Sequence, residues 1–232
     1  MLNYIILFII AVYVLQGIYN GCLVSLGNTA GMGFSWLIAA GATPFLSDAI
    51  SKTDVYSFFK YLTEVTDNVS SVELSRTAVS QLAESQISDV VSYANLPAPY
   101  SDRLLENITT NAFAGTESST VADYLNVTIA NVTVNILSFL IVYLIARILI
   151  SLVISTMNYS HPFPVLKKYD GLIGGILGGV RGFLSIFIWS MLVPLLLVLI
   201  SLPEFSKIVT DSSLVNFFYN FDFLFGFISG GI

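Results

Sequence analysis

Residues 170–182 read Asp-Gly-Leu-Ile-Gly-Gly-Ile-Leu-Gly-Gly-Val-Arg-Gly and pass unbroken into an apolar stretch that ends near Pro203. The glycines recur at alternating steps of three and one. On a helix, Gly171, Gly174, Gly175, Gly178, Gly179 and Gly182 therefore share one face as two adjacent rows. In the interior of a water-exposed helix each glycine costs about 1 kcal/mol relative to alanine. A bilayer changes that balance. Helices there gain nothing from burying apolar area against one another, and small residues promote association by letting backbones come close. The stripe reads as a membrane-helix packing face, with a hinge or a permeation path as the sharper alternatives.

Composition places the whole chain in the same class. Hydrophobic residues make up 55% and charged residues 10%, with mean hydropathy +0.81, whereas a soluble domain carries roughly 25% charged residues. The net charge of −6 argues against nucleic acid, which needs a basic face. Cys22 is the single cysteine, so neither an internal disulfide nor a cysteine-based zinc site can form. His161, between Ser160 and Pro162, has no second histidine with which to hold a metal. No metal and no cofactor is expected.

The charges are segregated. From Asp48 to Asp123 there are eleven acidic and four basic residues, a net of −7; the remaining four acidic and five basic residues net +1. This predicts an all-α membrane protein of four transmembrane helices, with an acidic extracytoplasmic helical insert and a C-terminal interfacial helix. The expected divisions are 1–46 for helices 1 and 2, 47–127 for the insert, 128–203 for helices 3 and 4 with a short basic turn, and 204–232 for an aromatic tail.

The first run, 2–19, lacks the basic start and small-residue cleavage site of a signal peptide, so it reads as a retained helix. Its length just reaches the roughly 20 residues a bilayer requires. A second run continues to Leu46 across Pro44, and its small residues make it a candidate partner for the glycine stripe. In the insert, Ser70 or Ser71 is expected to cap a helix in which Val79, Ala83, Ile87, Val90, Val91 and Ala94 share one face, broken by Asn95-Leu-Pro-Ala-Pro. Ser101 is expected to cap a shorter one with Leu104, Leu105 and Ile108. In the tail, Leu214, Phe217, Phe218, Phe221, Phe225 and Ile228 fall on one helical face, as in a helix lying in the interface.

The third run, 127–157, and the fourth, 171–202, are each about 45 Å long as helices against roughly 30 Å of hydrocarbon. Each holds one arginine, Arg147 and Arg181, with no Asp or Glu inside an apolar run to pair with it. An unpaired arginine is costly in lipid, so both are expected at headgroup level, meeting lipid phosphates or helix-end carbonyls. Lys167 and Lys168 lie in the turn between these runs and mark it as cytoplasmic. The insert and both termini would then be outside.

No catalytic constellation emerges, and no enzyme is expected. Ser57 and Lys60 have serine–lysine hydrolase spacing without the companion motifs. Triplets for N-glycosylation begin at Asn68, Asn107, Asn126, Asn131 and Asn158, in a chain rich in Asn and Ser where such triplets arise by accident. The glycine segment is not followed by the Gly-Lys-Ser/Thr of a phosphate-binding loop.

Asp170-x3-Gly174-x3-Gly178-x2-Arg181-Gly182, leading into a long apolar helix, resembles the signature of the colicin V production (CvpA) family of bacterial inner-membrane proteins. A short N-terminal hairpin turning at Gly17 and Gly21, and an aromatic tail after the fourth helix, fit as well. The resemblance covers 1–46 and 128–232. Where family members carry charges in the first turn, this chain has Gln16, Tyr19, Asn20, Val24 and Ser25. The resemblance implies an accessory or scaffold protein linked to toxin production or export and envelope maintenance, in the plasma membrane. Its partners would be the bilayer and a membrane protein or second copy meeting the glycine stripe. The alternative is a small channel or transporter subunit using the glycine-rich helix and the arginine pair.

Overall fold

The computed structural model describes residues 2–64, 75–116, 118–156, 169–200, 203–221 and 226. Lys167, Lys168, His161, Asn158, Ser70, Ser71, Asn68, Phe225 and Ile228 lie outside these residues. The described elements are helical: α1 (Leu2–Ser51), α2 (Asp54–Glu64), a short 3-10 turn (Val79–Gln81), α3 (Glu84–Ala94), α4 (Tyr100–Thr109), α5 (Val121–Thr156), α6 (Asp170–Ser190), α7 (Leu192–Ile200), α8 (Pro203–Thr210) and α9 (Ser213–Asn220). Three stretches are long and apolar enough to cross a membrane: Leu2–Ser51, Val121–Thr156 and Asp170–Leu199. The first takes in both of the N-terminal runs that the sequence separates. Its one interruption is Gly21, at φ 76° and ψ 178°, a backbone region essentially confined to glycine.

The chain forms two compact units, one of Met1–Thr43, Phe139–Val193 and Pro203–Ile228, the other of Pro44–Ser138, Pro194–Leu202 and Ser229–Ile232. In the first unit, the Ser25 hydroxyl donates to the Gly17 carbonyl at 3.2 Å. A straight helix would hold residues so spaced about 12 Å apart along its axis, so the chain doubles back at Gly21. Large apolar side chains point outward: Leu172, Ile176, Val180 and Phe183 on α6, and Ile141, Ile145, Ile148 and Leu152 on α5. The inner face of α6 holds Gly174, Gly175, Gly178 and Gly182. Small residues inside and large apolar ones outside reverse the pattern of a soluble bundle, and suit a molecule whose solvent is lipid.

In the second unit, α5 enters as a buried core helix, with Tyr124, Ile129 and Ile136 almost fully enclosed. Thr128, Asn131, Thr133 and Asn135 are buried too, and three of them are paired. Asn107 donates to Thr128 at 2.9 Å, the Tyr56 phenol donates to Asn131 at 2.6 Å, and the hydroxyls of Tyr100 and Thr133 are 3.0 Å apart. Burial raises the Tyr56 phenol above its ordinary pKa, which keeps it a donor across the physiological range. These contacts account for a polar residue every two or three positions in an apolar run: the insert, not lipid, meets 121–138. The apolar surface suited to lipid begins near Phe139.

Local details of the insert differ from expectation. Val79 sits in the 3-10 turn and α3 begins at Glu84. Gln86 accepts from the Ala83 amide there. Tyr100 opens α4 behind Pro99, and the Ser101 side chain turns to Asp102, not to the helix amides. Strand-like hydrogen bonds from Val79 to Ser119 and from Val121 to Thr77 close the segment between them into a lobe.

The aromatic tail docks onto α6. Ser212 caps α9 and in turn donates to the Asn3 side chain at 2.6 Å, while Asn3 accepts from Leu214 N–H at 3.1 Å. Phe218 is buried, 4.9 Å from Phe187 and 5.0 Å from Phe183 between ring centroids. Phe217 and Phe221 face outward, so the predicted single face divides, one side against protein and one free.

Candidate functional site

The 170–182 segment becomes the first three turns of α6, and its glycines meet the first arm of α1. A methyl group on Gly174 would strike the Gly17 carbonyl, and one on Gly178 the Tyr13 carbonyl. Gly17 returns the contact, since its own Cβ would overlap the Gly174 carbonyl. A methyl group on Gly182 would lie 3.2 Å from Ile10 and 3.0 Å from Tyr13. The residues in contact fall along α1 as they rise along α6, so these helices run antiparallel with backbone against backbone. Gly175 and Gly179 are different. They face the side chains of Ile18 and Val14, and Gly179 has 3.4 Å of clearance; Gly171 has 3.5 Å. The partner of the stripe is thus the first apolar run, not the second. Tyr13, Gly17 and Gly21 are spaced at four residues, which aligns them with Gly178 and Gly174.

Asp170 joins the two halves of this packing. Its carboxylate accepts from the Cys22 amide at 2.9 Å, one of the unpaired N–H groups that begin the second arm of α1. Asp170 also lies in the first turn of its own helix, where negative charge is favourable. One carboxylate thereby serves two helix N-termini. A side chain at Gly21 would collide with it. Cys22 contributes its backbone here, and its thiol is buried.

Both arginines have acceptors in the protein. Arg181 is only 4% exposed; it donates to Gln16 at 2.7 Å and lies over the Tyr13 ring at 5.0 Å. Arg147 donates to Asn28 at 3.2 Å. Neutral side-chain oxygens take the place of the missing carboxylates. Around it, Tyr13 and Ser185 hydroxyls are 3.2 Å apart, and Thr29 donates to the Leu177 carbonyl at 3.4 Å. Gln16 was visible in the sequence only as a neutral position in the first turn. Tyr13, Asn28 and Ser185 gave no sequence signal, because each is one polar residue in an apolar run.

Residues 108–222 match the family described as Colicin V production protein. Through this region the chain belongs to the colicin V production family. The match spans α5, α6 and α9, and it begins at the end of α4, earlier than the resemblance in the motif had placed it, and it leaves out 1–46. It includes the segment whose glycines and aspartate hold α1. No curated protein and no solved structure gives a match. Among the described residues no cluster of His, Cys, Asp or Glu could hold a metal ion. Ser57 and Lys60 lie on α2 in the second unit, and Asn131 is enclosed by its bond to Tyr56.

Proposed function

We propose that this colicin V production family protein is a membrane-embedded accessory or scaffold for toxin production or export and for envelope maintenance. Four segments of about spanning length, 2–20, 22–43, 139–156 and 170–193, would cross the plasma membrane. The acidic insert and both termini would then face outside, with the Lys167–Lys168 turn inside. One observation carries the scaffold reading. The family motif is consumed by packing and capping, through Gly17, Gly174, Gly178 and Asp170, which leaves no free nucleophile or acid–base pair on it. A partner or second copy would compete with residues 10–21 for the glycine stripe, so the reading puts such a partner on other surfaces. The test uses a cell that secretes a colicin V-type toxin. Removing the protein should lower secreted toxin, while the purified protein in liposomes should pass no ions. The channel alternative draws on the polar row of half-buried Tyr13 and buried Arg181 and Ser185, and ion flux lost on Arg181→Gln would establish it instead.

A further inference from the structure

Arg147 and Arg181 both lack something the described structure does not supply. Each spends one N–H on a neutral oxygen, Arg147 on Asn28 and Arg181 on Gln16. Each keeps a second donor that is buried with no acceptor, Nη1 of Arg147 and Nε of Arg181. Arginine stays charged in any protein environment, and hydrogen bonds bring the surroundings of the two together: Asn28, which holds Arg147, precedes Thr29, whose hydroxyl reaches the Leu177 carbonyl one turn before Arg181. Tyr143, buried, lies one turn before Arg147 on α5. The ion pairs among the described residues are Lys52 with Asp48 and Arg103 with Glu106, both in the other unit. The acid nearest in sequence, Asp170, is engaged with Cys22. Two cations with orphaned donors among apolar helices, Arg181 buried and Arg147 half-exposed, are unfavourable unless an anion joins them.

We propose that Arg147 and Arg181 form a binding site for a phosphate-type oxyanion, held by Nη1 of one and Nε of the other. Such a group supplies what the cluster lacks: negative charge between two positive ones, and oxygens with lone pairs for both free donors. Tyr13 holds the Arg181 guanidinium from its face and Gln16 from its edge, so the donor is positioned before the anion arrives. The chemistry is the same whether the phosphate belongs to an anionic lipid or is free in solution. The site does not depend on the accessory role proposed above.

The test uses the full chain in the phosphate-free detergent dodecyl maltoside, titrated in one arm with phosphatidylglycerol and in the other with inorganic phosphate, against chloride at equal ionic strength. Unfolding temperature and retained lipid are read together. At least one arm should raise the unfolding temperature of the wild type; a response to phosphatidylglycerol alone identifies a lipid, and a response to inorganic phosphate a free oxyanion. Loss of one charge-assisted bond should weaken the apparent affinity about tenfold or more in Arg181→Gln and Arg147→Gln. Arg147 is half-exposed, so Arg147→Gln keeps the test open if Arg181→Gln fails to fold, and Arg147→Lys should retain part of the response. No response in either arm, or a full response in Arg147→Gln, would overturn the site.

Discussion

At the scale of single residues, the six glycines of one stripe are not equivalent. Only a missing side chain lets the Gly17 and Tyr13 carbonyls lie on Gly174 and Gly178, whereas Gly179 meets the end of a valine. Gly178→Ala should cost about 1–3 kcal/mol, as overpacking against backbone does, because a carbonyl in an intact helix cannot move aside. Gly179→Ala should be neutral or slightly stabilising, since the methyl finds room and the helix loses a glycine. Unfolding of the two variants in detergent compares them directly, and equal losses would mean that the backbones do not meet where described. The alternating glycine spacing was legible from the sequence because it needs only one helix to be seen. Which glycines touch backbone was not, because that depends on the register of a second helix. The arginine acceptors escaped for a related reason: Gln16 and Asn28 are neutral, and a search for ion pairs passes over them.

At the scale of elements, each long helix does two jobs along its length. α1 is two helical arms joined by a glycine in a conformation other residues avoid, and α5 is a buried core helix in its first half and a lipid-suited one in its second. Mean apolarity does not distinguish a core helix from a membrane helix, so 127–157 read as one overlong span. The periodic Thr128, Asn131, Thr133 and Asn135 were the available sign that its first half meets polar side chains. The tail offers a sharper check. α9 is held to α6 by Phe218 packed on Phe183 and Phe187, with Val215 beside it. Phe218→Ala should cost about 3 kcal/mol of local stability, while Phe221→Ala, at an exposed position, should cost little. Amide exchange across Ser213–Asn220 should accelerate only in the first variant; similar exchange in both would show that α9 is not docked through that ring.

At the scale of the whole molecule, the acidic insert and the lysine turn carry the expectation about sidedness, and the apolar outer faces of α1, α5 and α6 carry the membrane assignment. A molecule with the −7 segment outside and the basic turn inside follows the rule that short loops rich in Lys and Arg stay cytoplasmic. Impermeant thiol labelling in intact cells tests this most directly. In a Cys22→Ser background, a cysteine replacing Asp89 on α3 should react, and one replacing Ser160 in the turn should react only after the membrane is opened. Labelling of the Ser160 position in intact cells, with protection of the Asp89 position, would contradict the account.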